Sequence, residues 1–236
     1  MMRPVRNLAA SALLLSAVQP ALAQSGDEIL ARVDRLRHPW PSFTMELTLK
    51  AGDAAQTWKV SARENGDARL DGLSTKEKGR AVLVLGDQMW LLLPGSKRPV
   101  KVSPQQRMMG PAAGGDVART RFREDYQVQS LAEEQVEGQD CWHLELTASR
   151  ASLSARRVVL WVLRASSLPL KAEFRLASGK LARSVTFGPP TQALGQRVLS
   201  GMVIEEPSGA RVELLFSKWG RGVAAAGTFE LPSPDR

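Results

Sequence analysis

Alternation of apolar and polar side chains with a period of two is the sequence feature that most restricts this fold. Phe43, Met45, Leu47 and Leu49 alternate with polar residues, which places them on one face of a β-strand. Further segments of this kind, most of them separated by turn residues, are predicted at residues 80–85, 88–93, 98–103, 126–131, 139–148, 156–164, 168–177, 180–187, 197–205 and 210–219. Many short strands with hairpin-length connections predict a mostly antiparallel sheet.

Some of these strands are apolar on both faces. In "MWLLL", residues 89–93, one face carries Met89, Leu91 and Leu93, and the other carries Trp90 and Leu92. An antiparallel sheet usually exposes one face to water, so such a strand needs an apolar cover on both sides. A curved sheet that closes partly on itself supplies part of that cover and can also hold an apolar ligand.

Only two segments are available as helical covers. Ser25 and Glu28 have the spacing of a capping box, and the apolar spacing behind them predicts a helix over 25–37 that ends before Pro39. Residues 104–125 lose the alternation and predict either a functional insertion with a short helix at 116–124 or a plain surface loop. The fold class predicted is therefore α+β, mostly antiparallel β: a strongly curved half-open β-barrel lidded by the N-terminal helix and a short helical insertion. A filled core without a cavity is the alternative.

The first 23 residues have the layout of a secretory signal peptide. Arg3 and Arg6 precede an apolar run that is too short to span a bilayer, and Ala21-Leu22-Ala23 gives a cleavage site. We expect cleavage after Ala23, export to the periplasm, and a single domain over residues 24–236 that folds as a monomer. The formal charge of +8 suits an anionic surface or ligand, but no nucleic-acid motif accompanies it, so nucleic acid is not expected as a partner.

Catalytic and metal-binding motifs are scarce. Cys141, His143 and Glu145 share one strand face and raise the possibility of a thiol-based hydrolase, although a solvent-facing strand surface explains the same pattern. The nucleophile elbow, the P-loop and zinc-ligand spacing are all missing from the sequence. We therefore expect no enzymatic activity, no cofactor and no metal.

Several stretches resemble one known family. The segment "GRAVLVLGDQMWLLLPGSKRPVKVSPQQRMMG" (79–110), the "DY" pair at 125–126 and the "LWV…LPLKAEF…SGK" stretch (160–180) are similar to LolA-like outer-membrane lipoprotein-sorting proteins. The "DEILARVD" helix and the ending with Phe229 and Pro232 agree with that family. The chain departs from the family pattern after Met109-Gly110, and Leu163 stands where an acidic residue is usual, so it resembles a divergent branch.

The resemblance implies a half-barrel with a lidded apolar cavity that carries the acyl chains of lipids or lipoproteins toward the outer membrane. It implies an inner-membrane transporter and an outer-membrane acceptor as partners. A non-enzymatic envelope sensor or interaction module on the same fold is the alternative function. The residues expected at the ligand are Trp90, Leu92, Met108, Met109, Trp161 and Phe174. Lys97, Arg98 and Lys101 are expected to contact head groups or a membrane.

Overall fold

The structure is a computed structural model, and it describes residues 24–96, 98–103, 119–222 and 225–232. The predicted signal peptide, Lys97, Met108, Met109 and residues 104–118 of the predicted insertion lie outside these ranges. The helices and strands follow in chain order as α1 (Gly26–Arg37), β1 (Ser42–Ala51), β2 (Ala54–Arg63), β3 (Ala68–Gly72), β4 (Ala81–Leu85), β5 (Gln88–Leu92), β6 (Val100–Val102), α2 (Phe122–Asp125), β7 (Tyr126–Val136), β8 (Gln139–Ala148), β9 (Arg157–Leu163), β10 (Pro169–Arg175), β11 (Leu181–Phe187), β12 (Pro190–Ala193), β13 (Gln196–Leu199), β14 (Gly201–Glu205) and β15 (Arg211–Arg221).

One large antiparallel sheet dominates the fold. Its 13 strands lie in the order β6-β5-β4-β3-β2-β1-β15-β14-β11-β10-β9-β8-β7, and β12 and β13 form a separate hairpin. Strand β15 pairs with β1, so the C-terminal part of the chain joins the two halves of the sheet. The strands β6 and β7 are its two edges, and the sheet does not close.

Side-chain contacts across the sheet show how strongly it curves. Seven strands lie between β4 and β9, and the usual strand spacing would hold these two about 38 Å apart in a flat sheet. Yet Arg150, in the loop before β9, donates from Nε to Oδ1 of Asp87, in the turn after β4, at 2.7 Å. Ser152 Oγ contacts the other oxygen of the same carboxylate at 2.6 Å. The two halves of the sheet therefore face each other across a concave interior.

Helix α1 packs over this concave face. Its capping box is formed, because Ser25 Oγ accepts from Glu28 N and the Glu28 carboxylate accepts from Ser25 N. The buried side of the helix carries Ile29, Leu30 and Val33, each fully buried. They belong to one apolar core to which strands from both halves of the sheet contribute. Burial of this face, and not helix propensity, holds α1 in place.

The fold class expected from the sequence is confirmed: a mostly antiparallel, unclosed, curved sheet with few helices. The segment expected as one strand at 197–205 is instead divided into β13 and β14, and β12 was not predicted. Among the described residues, none of the helices combines the length and the apolar character needed to cross a bilayer.

Candidate ligand-binding hollow

A hollow of about 420 Å³ lies on the concave face of strands β1 to β6. Nine of its twelve lining residues are apolar: Leu47, Leu49, Trp58, Leu70, Val82, Met89, Leu91, Leu93 and Val102. Eight of them come from six consecutive strands, because alternate residues of each strand face inward, and Leu93 directly follows β5. The volume falls within the range of about 300–1,000 Å³ that is typical of small-molecule sites.

A second, smaller hollow of about 40 Å³ lies beside the first, under the C-terminal end of α1. Leu47, Leu70, Val82 and Met89 line both hollows. The two spaces therefore share one apolar wall and differ in their covers. The smaller one is bounded by the residues that attach the helix, and the larger one lies away from them.

The large hollow has a polar side formed by the segment between β3 and β4. Glu77 and Arg80, which both line it, form an ion pair at 3.1 Å, with the Glu77 side chain 6% exposed and that of Arg80 47% exposed. Gly72 allows this segment to lie close to the sheet, because a Cβ atom there would stand 2.1 Å from the carbonyl oxygen of Glu77. The hollow thus combines apolar walls with one charged pair, in which the glutamate is buried and the arginine is half-exposed.

A buried polar cluster ties α1 to the segment that leads into α2. Arg37 Nη1 donates to the carbonyl of Thr120 at 2.6 Å, and its guanidinium lies 5.0 Å from the ring of Phe122. The carboxylate of Asp34 accepts from the backbone N–H groups of Phe122 and Arg123, both at 2.9 Å. A side chain of α1 therefore caps the first turn of α2, which satisfies two N–H groups that a four-residue helix cannot satisfy itself.

Burial changes the protonation of this cluster. It raises the pKa of Asp34 to about 6, against the attraction of Arg37. It lowers the pKa of Arg37 to about 10, against the attraction of Asp34, so the guanidinium stays charged at neutral pH. The pKa of His38 is well below its ordinary value, first because the ring is buried and second because Arg37 is close. The imidazole of His38 is therefore neutral at physiological pH.

A family model described only as an uncharacterized protein matches residues 73–218, which is more than half of the chain. A LolA superfamily protein from Nitrosomonas europaea has the same fold, with a TM-score of 0.77 and 28% sequence identity over 88% of this chain and 98% of that one. The chain belongs to the LolA-like family as a divergent member.

Two further solved structures share the LolA-like fold. A putative outer membrane lipoprotein-sorting protein domain from Vibrio parahaemolyticus has a TM-score of 0.67 and 23% identity over 86% of this chain and 95% of its own. A DUF1329 family protein from Desulfovibrio piger has a TM-score of 0.71 and 19% identity over 87% of this chain and 95% of its own. No curated protein matches the chain in sequence.

The sequence-predicted residues on β5 of this LolA-like chain lie on the opposite face from the hollow. The hollow is lined by Met89 and Leu91, so the alternation of the strand directs Trp90 and Leu92 to the convex face. Lys101 is exposed on that same face, with its Nζ 5.4 Å from the Trp90 ring. Trp90 and Leu92 are not among the described residues that line either hollow.

The other predicted site residues that the structure describes also lie apart from one another. Trp161 lies on the convex face, where its ring stacks on His143 at 5.1 Å and meets Lys171 Nζ at 4.3 Å. Phe174 is fully buried in the main core, with its ring centroid 6.3 Å from that of Phe122. Arg98 is exposed in the β5–β6 connection. Of the residues predicted to share one site, the four that the structure describes are therefore not brought together.

The thiol-based site considered for Cys141, His143 and Glu145 on β8 does not form. Cys141 is fully buried in a small cluster with Val136 and Trp161, and burial raises the pKa of its thiol. His143 Nδ1 contacts Oε2 of Glu134 at 3.2 Å, not Glu145. Within the described part of the chain, no three His, Cys, Asp or Glu side chains are grouped as metal ligands.

Sequence reasoning missed the residues that do line the hollow. Leu70 and Val82 sit on short strands whose apolar residues give no clear choice of face. The signal that could have found them is pairing. Strand β1 has an unambiguous inner face. Because paired residues of neighbouring strands share a face, the pairing from β1 through β5 identifies the inward-facing residues of each strand, from Leu47 to Met89.

Proposed function

We propose that this LolA-like protein is a periplasmic carrier that holds the acyl chain of a lipid or lipoprotein in the large hollow during transfer to the outer membrane. The observation that carries the proposal is the hollow itself, whose walls are contributed by the inner faces of six strands and are mainly apolar. The fold shared with a putative outer membrane lipoprotein-sorting protein domain supports it.

The energetics of such a ligand fit the composition of the site. Each methylene removed from water stabilises the complex by about 0.8 kcal/mol, and this term needs no directed hydrogen bonds. A wall of leucine, valine, methionine and tryptophan supplies the required surface, and Met89 can adapt its shape to different chains. The half-exposed guanidinium of Arg80, paired with buried Glu77, lies where a polar end of the ligand would meet solvent. A role of this kind requires no catalytic group, and kinship with a sorting domain supports a non-enzymatic role.

A wall substitution that fills the hollow tests the proposal. Leu70→Trp adds an indole ring to the wall that the two hollows share and displaces at least two methylenes of a bound chain, so affinity should fall about tenfold or more. Affinity is measured by titrating the purified protein with a fluorescent fatty acyl probe. Mass spectrometry of the protein under native conditions reports whether lipid co-purifies.

Lys59→Trp is the matched control. Lys59 is exposed on β2, next to inward-facing Trp58 and Val60, so the new ring adds the same bulk on the convex face. This variant should bind the probe like the original protein. Equal binding by Leu70→Trp and Lys59→Trp, with both correctly folded by circular dichroism, would show that the hollow is not the acyl site. Failure of the original protein to bind the probe or to retain lipid would refute the carrier function.

A further inference from the structure

A third recess, which is lined mainly by polar and charged residues, lies on the outer side of α1. It has a volume of about 660 Å³ and is bounded by α1, the β9–β10 turn and the β12–β13 hairpin. It shares no residue with either apolar hollow. We call it the arginine cleft after the four arginines that line it: Arg32, Arg35, Arg164 and Arg197.

The arginine cleft carries a large excess of positive charge. No aspartate or glutamate is among its described lining residues. Arg164 is neutralised from outside the cleft by Glu133, at 2.7 Å. Arg32 makes one long hydrogen bond to the hydroxyl of Ser167 at 3.4 Å, and the guanidinium of Arg197 has no hydrogen bond or ion pair with any described residue. Arg35 donates from Nε to the carbonyl of Ala31 in its own helix. Arg32, Arg35 and Arg197 therefore have no acidic partner in the part of the chain that the structure describes.

Polar groups complete the lining. The hydroxyl oxygen of Ser166 is buried and has no hydrogen-bond partner among the described residues. The side-chain amides of Gln192 and Gln196 belong to exposed residues on the hairpin side of the cleft. Buried polar atoms are nearly always hydrogen-bonded in native proteins, so the Ser166 hydroxyl is free to bond to a ligand or a water molecule in the cleft.

We propose that the arginine cleft binds a phosphate group. Guanidinium groups donate pairs of parallel hydrogen bonds to phosphate oxygens, and several of them together match a group with more than one negative charge. Serine and glutamine supply neutral donors for the remaining oxygens. The phosphate belongs either to a small soluble phosphate ester or to the head group of an anionic phospholipid. The site goes beyond the carrier function and does not depend on it.

The test removes two of the three cleft arginines that have no acidic partner among the described residues, one on each side of the cleft. Arg32→Gln/Arg197→Gln lowers the charge of the cleft by two, and both positions are exposed on regular elements, so the fold is retained. Lys59→Gln/Arg157→Gln is the matched control, because it removes the same charge from two exposed strand positions outside the cleft. Calorimetric titration with inorganic pyrophosphate and co-flotation with phosphatidylglycerol or phosphatidylcholine vesicles are measured for all three proteins.

Two results support the site. Saturable pyrophosphate binding that weakens about tenfold or more in the cleft variant, but not in the control, identifies a soluble phosphate ligand. Flotation with phosphatidylglycerol but not phosphatidylcholine vesicles, lost in the cleft variant alone, identifies a lipid head group. The proposal is overturned if the original protein binds neither probe, or if the control variant loses as much binding as the cleft variant.

Discussion

Arg150 joins the two halves of the curved sheet, and its replacement should measure what that connection contributes to stability. Its guanidinium donates to Asp87 Oδ1 at 2.7 Å and to Asp125 Oδ1 at 2.6 Å. Asp87 belongs to the β4–β5 turn, and Asp125 ends α2 directly before β7. Arg150→Met keeps the length and most of the apolar stem of the side chain but removes both charged hydrogen bonds.

The two contacts differ in expected strength because their surroundings differ. The side chain of Asp125 is only 4% exposed, and without Arg150 its Oδ1 loses the partner that this contact supplies, while Oδ2 still accepts from Arg121 N. A buried charged acceptor that loses its partner costs about 2 kcal/mol. The Asp87 side chain is 34% exposed and that of Arg150 is 38% exposed, so solvent reduces this contact to about 0.5 kcal/mol. The expected loss is therefore about 2–3 kcal/mol.

Urea unfolding followed by tryptophan fluorescence measures the change. Arg157→Met serves as the control, because Arg157 is exposed and forms no described ion pair, so its loss should change stability by less than about 0.5 kcal/mol. Combining Arg150→Met with Asp87→Asn should cost less than the sum of the two single changes. Equal stabilities of Arg150→Met and Arg157→Met would refute a stabilising role of Arg150, and additive losses in Arg150→Met/Asp87→Asn would refute a contribution from the contact between the halves.

Two further substitutions test the covers of the hollow. Since burial raises the pKa of Asp34 from its ordinary 3.8 to about 6, the folded state holds this proton more tightly than the unfolded state. The resulting stabilisation, about 3 kcal/mol, is present below pH 4 and is lost as the pH rises through 6. Asp34→Asn should remove this part of the pH dependence of the unfolding free energy, measured by urea unfolding. An unchanged dependence of the unfolding free energy on pH would contradict the expectation. Gly72→Ala should destabilise the protein by about 1–3 kcal/mol and disturb the Glu77 side of the hollow, because the added methyl would stand 2.1 Å from the Glu77 carbonyl oxygen. Unchanged stability together with unchanged affinity for the acyl probe would show that the segment between β3 and β4 moves aside without cost.

The covers of the two-sided strands explain why the fold was predictable but the site residues were not. The apolar alternation of β1 predicts both the strand and its buried face, and the structure confirms it. For β9, the second apolar face is covered locally, by Val136 and Cys141 of the adjoining hairpin around Trp161. A sequence pattern shows that a face is apolar, but it does not distinguish a ligand from a neighbouring hairpin as the cover.

Local irregularities in the strands also limited the prediction. Strict alternation along β10 would place Leu170 on the same face as Ala172 and Phe174, but the register shifts between Pro169 and Lys171. Leu170 consequently packs with the small convex-face cluster, whereas Phe174 enters the main core. The cap of α2 was equally hidden, because its carboxylate, Asp34, is 88 residues from Phe122 in the chain.

The contacts of Arg150 and Ser152 with Asp87 have a consequence for the adaptability of the protein. These contacts join the two halves through side chains, whereas the strands within each half are joined by backbone hydrogen bonds. Opening the sheet at this place breaks these ionic and hydroxyl contacts, together with any apolar contacts that the two halves share there, and leaves every strand pairing intact. The width of the concave interior at this rim is therefore fixed by side-chain contacts and not by strand pairing, so we expect it to change more easily than the pairing within each half.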